Sequence, residues 1–234
     1  MKSLKEVSGG VCAPAGFVAG GIHCGIRKNK QKKDFALIMS KVPCAAAGVY
    51  TQNLVKGAPV VVTKRNLSDG VAQAIICNSG NANTCNKDGE TMAEEMCGLV
   101  TKVSGIPAEN VVVASTGVIG LPLDITPMAD AIQQLYDSLG DDSQSAAEAI
   151  MTTDTVPKSV AVEFEAGGKL CHVGAIAKGV GMICPNMATT LIFITSDVNI
   201  SSKMLQRALS EDVKSSFNMV SIDGDQSTND TCCI

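Results

Sequence analysis

The sequence predicts a layered α/β fold, an α+β sandwich whose sheets are largely antiparallel. Three observations carry this expectation. Short apolar and β-branched runs bounded by Gly, Pro and Asn recur along the 234 residues, as strands of a buried sheet should. Stretches of three- and four-residue periodicity separate only some of these runs, so a strictly alternating parallel sheet is not indicated. Ala166-Gly167-Gly168 joins two strand-like runs in the manner of a hairpin, which requires an antiparallel pair.

Taken in order, residues 11–26 are rich in Gly, Ala and Cys and read as a turn-laced lead-in. Residues 35–39 have strand length. Residues 58–63, Ala-Pro-Val-Val-Val-Thr, read as a second strand on their β-branched content, and 72–77 as a third. Asn78-Ser79-Gly80-Asn81-Ala82-Asn83 reads as a loop, because these residues tolerate positive φ and hydrogen-bond their own backbone. From Asp88 to Ser104, Met92, Met96, Leu99, Val100 and Val103 follow helical spacing, and Gly105 and Pro107 end it. Residues 110–115 form a strand that runs into Thr116-Gly117-Val118-Ile119-Gly120. Helices are expected at 128–139 and 145–151, and strands at 159–164 and 169–176. Residues 177–188 are small, Gly-rich and broken by Pro185, after which Thr189 opens an apolar run to Ile194 that reads as a buried strand. Residues 201–217 are helical, 219–222 read as a strand and 223–231 as a polar loop.

Composition excludes several function classes. The net charge of −4 argues against a nucleic-acid groove or a polybasic membrane patch. The basic run Arg27-Lys28-Asn29-Lys30-Gln31-Lys32-Lys33 reads as a solvated loop. No apolar stretch reaches the roughly 18 residues of a membrane span. The polar opening Met1-Lys2-Ser3-Leu4-Lys5-Glu6 has no signal-peptide pattern, so a cytoplasmic protein is expected. The ten cysteines show no Cys-x-x-Cys spacing, which fits reduced and mostly buried thiols.

Chemistry is constrained by scarcity. The chain has two histidines, His23 in a Gly/Cys segment and His172 within an expected strand, and neither sits in a recognisable nucleophile–base arrangement. No metal site is expected. The loop from Asp223 to Asn229 places oxygen ligands at alternate positions, but the sixth position is Thr228 and the twelfth Ile234, where a calcium loop needs Gly and Glu. Ser115-Thr116-Gly117-Val118-Ile119-Gly120 at a strand end could aim N–H groups and a hydroxyl at an oxyanion, or could be a plain strand-to-loop turn. Thr189 remains as a nucleophile candidate. Without a histidine, a Thr hydroxyl has one well-attested activator, its own α-amine once the preceding peptide bond is cut. That amine titrates near ~8, so a useful fraction is neutral at physiological pH. The alternative is that Thr189 merely begins a buried strand.

Lys178-Gly179-x-Gly181-Met182-Ile183-x-Pro185-Asn186-Met187-Ala188-Thr189 resembles the self-cleavage motif of the ornithine acetyltransferase family of arginine biosynthesis. So do the 115–120 segment, Thr152-Thr153-Asp154-Thr155-x-Pro157-Lys158, the 78–83 segment and Asp223-Gly224-Asp225-x-Ser227-Thr228-Asn229-Asp230. The resemblance runs through the whole chain in the family's order. It implies the ornithine acetyltransferase/DmpA-like fold and a precursor cut between Ala188 and Thr189, with 1–188 as the α portion and 189–234 as the first part of the β chain. Thr189 would then take the acetyl group of N-acetylornithine and pass it to glutamate. Some family members also accept acetyl-CoA as donor, and no cofactor is implied. Thr116 and Gly117 would form the oxyanion hole; Thr152 (or its neighbour Thr153), Lys178 and Thr189 would contact substrate. The associated chains would form an α2β2 heterotetramer. The family's β chain runs well beyond position 234 and carries further substrate-contacting residues, so relative to it residues 189–234 are truncated. A self-cleaving amidohydrolase or aminopeptidase of the same fold, and an inactive truncated domain, are the other readings the residues allow.

Overall fold

The computed structural model describes residues 4–182 and 190–234. Strands β1 (Lys5–Val7), β2 (Phe17–Ile22), β3 (Phe35–Ala45) and β4 (Gly48–Tyr50) lead to helix α1 (Ala58–Asn66). Then β5 (Val71–Asn81), α2 (Gly89–Ser104) and β6 (Val111–Val118) form one strand–helix–strand unit. Helices α3 (Thr126–Asp137) and α4 (Ser143–Ala149) precede the hairpin of β7 (Lys158–Ala166) and β8 (Lys169–Lys178). Finally β9 (Leu191–Ser196), α5 (Ser202–Ser215) and β10 (Thr231–Cys233) make a second strand–helix–strand unit.

These strands form a six-stranded sheet, ordered β1-β7-β8-β9-β10-β4, and a four-stranded sheet, ordered β2-β3-β5-β6. Among the named strands the parallel pairs are β5 with β6 and β9 with β10, each joined through a helix. Antiparallel pairs can close on tight turns, whereas parallel ones need a crossover. The β7–β8 turn shows the former: Gly167 and Gly168 have φ of 59° and 76°, as a two-residue hairpin loop requires.

Alternation along the strands builds four layers. On one face of the four-stranded sheet, Phe35, Leu37, Ala74, Ile76, Val111 and Val113 pack with residues of α1, α2 and α3. The intervening residues Ala36, Ile38, Cys77, Val112 and Ala114 turn the other way and meet Ile176, Leu191, Phe193 and Cys233 of the larger sheet. Ala146, Ala147 and Ala149 of α4 fit into that middle layer, where their small side chains let a helix lie between two sheets. On the far side, Ile192 and Cys232 pack against Leu205, Leu209 and Val213 of α5. Strands buried on both faces read as continuous apolar runs, which is why this sequence alternates so little. Both crossover helices carry regular end signals. Gly105 ends α2 with φ of 75°, and the Ser201 side chain accepts the Met204 N–H at the start of α5.

Four expectations are corrected. Residues 58–63 are not a strand but the start of α1, with Pro59 in its first turn. The helix lies along the open edge of β6, where Thr63 Oγ1 donates to the Val113 carbonyl at 2.6 Å and accepts the Val113 N–H at 2.8 Å. Asn66 Nδ2 donates to Ala108 and Val111 carbonyls on the same edge. Covering an edge outweighs the weak strand preference of three valines. Residues 78–81 are strand rather than loop, continuing β5 alongside β6. Residues 219–222 pair with no strand among the described residues; Phe217–Met219 is a single 3₁₀ turn, and Val220 and Ile222 are exposed. The lead-in at 11–26 contains β2, which pairs with β3 from Phe17 to Ile22. The expected strand after Thr189 is β9, and the helices at 88–104, 128–139, 145–151 and 201–217 all exist within a few residues of those bounds.

Candidate active site

The ends of β5 and β6 change character without leaving the interior. Asn78, Ser79, Asn81, Ser115 and Thr116 are all buried, in direct continuation of the apolar Ile76-Cys77 and Val113-Ala114. Buried polar groups need partners, and most of these have them. Ser79 Oγ donates to the Ala149 carbonyl at 2.6 Å and Asn78 Nδ2 to the Asn81 carbonyl at 3.0 Å. Gly117 has φ of 136°, and a Cβ there would overlap the Gly80 carbonyl. Only glycine lets the two strand ends approach this closely.

Residues 227–230 lie against the same strand ends. The expected polar loop at 223–231 is there, but Ser227, Thr228, Asn229 and Asp230 are buried. Asn229 uses its whole amide. Its Nδ2 donates to the Ala82 carbonyl at 2.6 Å and the Ser115 carbonyl at 2.9 Å, and its Oδ1 accepts from Thr84 Oγ1 at 2.6 Å and from Thr228 Oγ1. It thereby ties the approach to β10 to the strand ends that carry Thr116 and Gly117. Two of the alternating oxygen-bearing residues of 223–229, Asp223 and Ser227, accept backbone N–H groups. Asp223 Oδ1 accepts the Asp225 N–H and Ser227 Oγ the Asn229 N–H, while the other Asp223 oxygen accepts the Met182 N–H.

Lys178 ends β8 and is 4% exposed. Burial pulls its ammonium toward the neutral form, against which the charges of Asp154 and Asp230 hold the proton. Its strand partner is Leu191, the second residue after Thr189. Ile183 to Thr189, which include the expected cleavage pair Ala188 and Thr189, lie outside the described residues.

Thr152 sits in the turn after α4. It is half-buried and its N–H donates to Asp154 Oδ2 at 3.2 Å, whereas Thr153 is exposed. The other oxygen of Asp154 accepts the Gly179 N–H at 2.9 Å and Lys158 Nζ at 2.6 Å. Burial opposes ionisation of Asp154, but the bonds from Lys158, Gly179 and Thr152 outweigh it and hold the carboxyl below the usual carboxylate range.

Arg27 corrects a further expectation. It is not part of a solvated basic loop: its guanidinium donates to the Met151 carbonyl, and its Cγ lies where a side chain on Gly80 would go. The backbone is turned inward there by Asp34, whose fully buried carboxylate accepts the N–H groups of Cys24, Gly25 and Arg27 at 2.6, 3.3 and 2.8 Å. His23 Nδ1 bonds to the Lys32 carbonyl at 2.9 Å with Asp34 3.3 Å away, and His172 Nδ1 stands 2.9 Å from Asp197, so the Nδ1 of each histidine already has a partner.

Thr116, Gly117, Thr152 and Lys178 thus converge on one end of the inter-sheet layer, linked through Asn229, Asp230, Asp154 and Arg27. In the sequence these linking residues lie within motifs or, for Arg27, within a basic run, and no spacing marks them out. The signal available in retrospect is the i, i+4 acid–base pair Asp154/Lys158. All nine described cysteines are free; five are buried and Cys85 is exposed.

The double sandwich defines a class before it defines a family. A structure 13% identical to this chain, the L-aminopeptidase D-Ala-esterase/amidase of Ochrobactrum anthropi, superposes with a TM-score of 0.54 over 99% of this chain and 75% of its own, and is described as a variant of the Ntn-hydrolase fold. At that identity the likeness concerns the fold alone. Within the class, the chain belongs to the ArgJ family, which it matches over residues 18–234. It is 51% identical to the arginine biosynthesis bifunctional protein ArgJ of Symbiobacterium thermophilum, over 97% of this chain and 57% of that protein. It is 46% identical to the glutamate N-acetyltransferase of Methanocaldococcus jannaschii, over 97% of this chain and 56% of that protein. The chain therefore spans little more than half the length of these relatives. Among solved structures, ArgJ of Bacillus halodurans is 38% identical with a TM-score of 0.75, covering 80% of this chain and all of the matched one. The ornithine acetyltransferase of Mycobacterium tuberculosis, solved with ornithine, is 34% identical with a TM-score of 0.72, covering 79% and 99%.

Proposed function

We propose that this chain carries the self-cleaving, acetyl-accepting core of a glutamate N-acetyltransferase that takes its acetyl group from N-acetylornithine. The observation that carries the reading is the convergence of Thr116-Gly117, Thr152 and buried Lys178 on the end of the sandwich where Leu191 pairs with Lys178. In the first reaction, Thr189 Oγ attacks the Ala188 carbonyl, the Ala188–Thr189 C–N bond breaks, and the acyl group moves from nitrogen to oxygen. Water hydrolyses the resulting ester, freeing the Thr189 hydroxyl and its α-amine. In the second, the amine takes the hydroxyl proton as Thr189 Oγ attacks the acetyl carbonyl of N-acetylornithine. Ornithine leaves with that proton, and the amine of glutamate then attacks the acetyl-threonine ester to give N-acetylglutamate. Thr116 and Gly117 would receive the oxyanion in each step, while the Lys178 ammonium holds a substrate carboxylate. Thr152 is the better substrate contact of the two threonines, because it is half-buried whereas Thr153 is exposed.

Two observations support the cut. The matched chain of the Bacillus halodurans structure is covered completely by 80% of these 234 residues, about 187, which fits a chain boundary near Ala188. Strands β9 and β10 lie inside the six-stranded sheet between β8 and β4, so segments 1–188 and 189–234 would stay associated after cleavage. Acetyl-CoA as a second donor, an α2β2 assembly and a cytoplasmic location belong to the same proposal. Intact-mass measurement should give two fragments meeting between Ala188 and Thr189, and one mass for Thr189→Ala. Incubation with N-acetylornithine and glutamate should yield N-acetylglutamate. Acetate without N-acetylglutamate would replace the transferase with an amidohydrolase, and a single uncut mass would remove both.

A further inference from the structure

Among the described residues, Asp154 is the fully buried carboxylate that bonds to both turns carrying Thr152 and Lys178. Its side chain is 0% exposed, although its partner Lys158 is 41% exposed and could have been met at the surface. Burying a carboxylate is expensive unless donors surround it. Here the donors are the N–H groups of Thr152 and Gly179, one from each turn, together with Lys158 Nζ. Fixing the Gly179 N–H fixes the plane of the Lys178–Gly179 peptide, and so the direction in which β8 delivers Lys178. Gly179 has φ of 156°, at the edge of the region that favours glycine. Arg27 holds the preceding Met151 carbonyl from the other side, so the Thr152 turn is gripped twice.

We propose that Asp154 is a positioning residue of the substrate pocket, clasping the Thr152 and Lys178 turns together and presenting its negative charge to the Lys178 ammonium. The proposal rests on the acetyl-transfer reading for the substrate it serves, but not for the clasp itself. The charged and titratable groups facing Lys178 are Asp154, Asp230, Cys77 and Lys158. Of these, the two carboxylates favour the ammonium and Lys158 opposes it. Asp154 itself pairs with Lys158 at 2.6 Å, and its charge also acts on Lys178 and Arg27. Asp154→Asn keeps the size but turns one acceptor into an NH₂ that faces a donor, and removes the negative charge. Lys158→Met removes a positive charge and leaves the carboxylate in place. The two variants must therefore move Lys178 in opposite directions, which a merely structural role would not do.

The test is titration of the 234-residue protein labelled with ¹³C-lysine, the Lys178 signal being assigned by its loss in Lys178→Met. The Lys178 midpoint should fall by about one pH unit in Asp154→Asn and rise in Lys158→Met. Calorimetry with N-acetyl-L-ornithine should show up to about tenfold weaker binding to Asp154→Asn at alkaline pH, the limit set by a shift of that size. An unmoved midpoint in Asp154→Asn overturns the proposal; if Asp154→Asn does not fold, the double variant Asp154→Asn/Lys158→Met, which removes both partners of the ion pair, must show a midpoint below that of Lys158→Met, and an equal midpoint overturns the proposal. Both shifts without any acetyl transfer would sink the acetyl-transfer reading and leave the clasp. Acetyl transfer with unmoved midpoints would do the reverse.

Discussion

The middle layer of the sandwich has two ends made from the same strands. At one end β5 and β6 finish in Asn78-Ser79-Gly80-Asn81 and Ser115-Thr116-Gly117, with Lys178 and Asp154 beside them, all of it buried except around the glycines. At the other end the two sheets part around a cavity of about 380 Å³ lined by Ile38, Ala72, Ile75, Val112, Ile194 and Ile200. The cavity is largely apolar, although Ser40, Cys44, Thr195, Ser196 and Asp197 also contribute to its lining. The polar end instead concentrates glycines, hydroxyls and a buried ammonium. Concave apolar space is a common guide to sites; here the converging polar groups are the better one, because each has been desolvated at a cost that only specific hydrogen bonds offset.

The polar end is most vulnerable at Gly117. Gly117→Ala adds a methyl that meets the Gly80 carbonyl in a left-handed region, and should destabilise the fold by about 3–5 kcal/mol; urea denaturation measures it. Asn229→Ala comes next. It leaves the Ala82 and Ser115 carbonyls buried without their donor, for an expected loss of about 2–4 kcal/mol by the same measurement, and self-cleavage should slow with it. A loss in stability no larger than that of an exposed substitution would mean the polar end is not held together as described.

The pH dependence is smaller and has a definite sign. Asp154 is held below the usual carboxylate range in the folded state, so its contribution is fully present above the unfolded value near ~3.9 and is lost as pH falls through the lower folded value. Stability measured from about pH 6 downward should therefore fall below about pH 4 in the unaltered chain and fall less steeply in Asp154→Asn. The apolar end should respond least. Ala72→Leu extends a half-buried side chain into the cavity and is expected to change stability by less than about 1 kcal/mol, in the stabilising direction. A large destabilisation would show that this end is already packed.

Legibility in the sequence followed how local each interaction is. The helix α2 was readable because its apolar positions and its Gly105 stop are set within one segment. The β7–β8 hairpin was readable because two glycines suffice to turn it. By contrast, Val60-Val61-Val62-Thr63 became helix because an edge of β6 fifty residues away needed covering, and a window of local residues contains no trace of that edge. Asn78 to Asn81 looked like a loop on its polar content; it is strand because Ser115 to Val118 runs beside it. Arg27 was lost in a basic run, since nothing nearby in sequence announces Asp34 as the group that turns it inward.

The sequence by itself determined that the fold is layered, that histidine chemistry is improbable, and that the motifs are those of one family. Composition, periodicity and short-range turn chemistry are properties a chain carries before it folds. Only the tertiary structure decided which polar residues share a site. It brought Thr116, Thr152 and Lys178 to one end of the sandwich and tied Asn229 across β5 and β6. It also selected Asp154, from a motif of five hydroxyl, acidic and basic residues, as the carboxylate that joins two turns. Those outcomes depend on pairing between distant segments and on the low dielectric of a buried layer, neither of which exists in the unfolded chain.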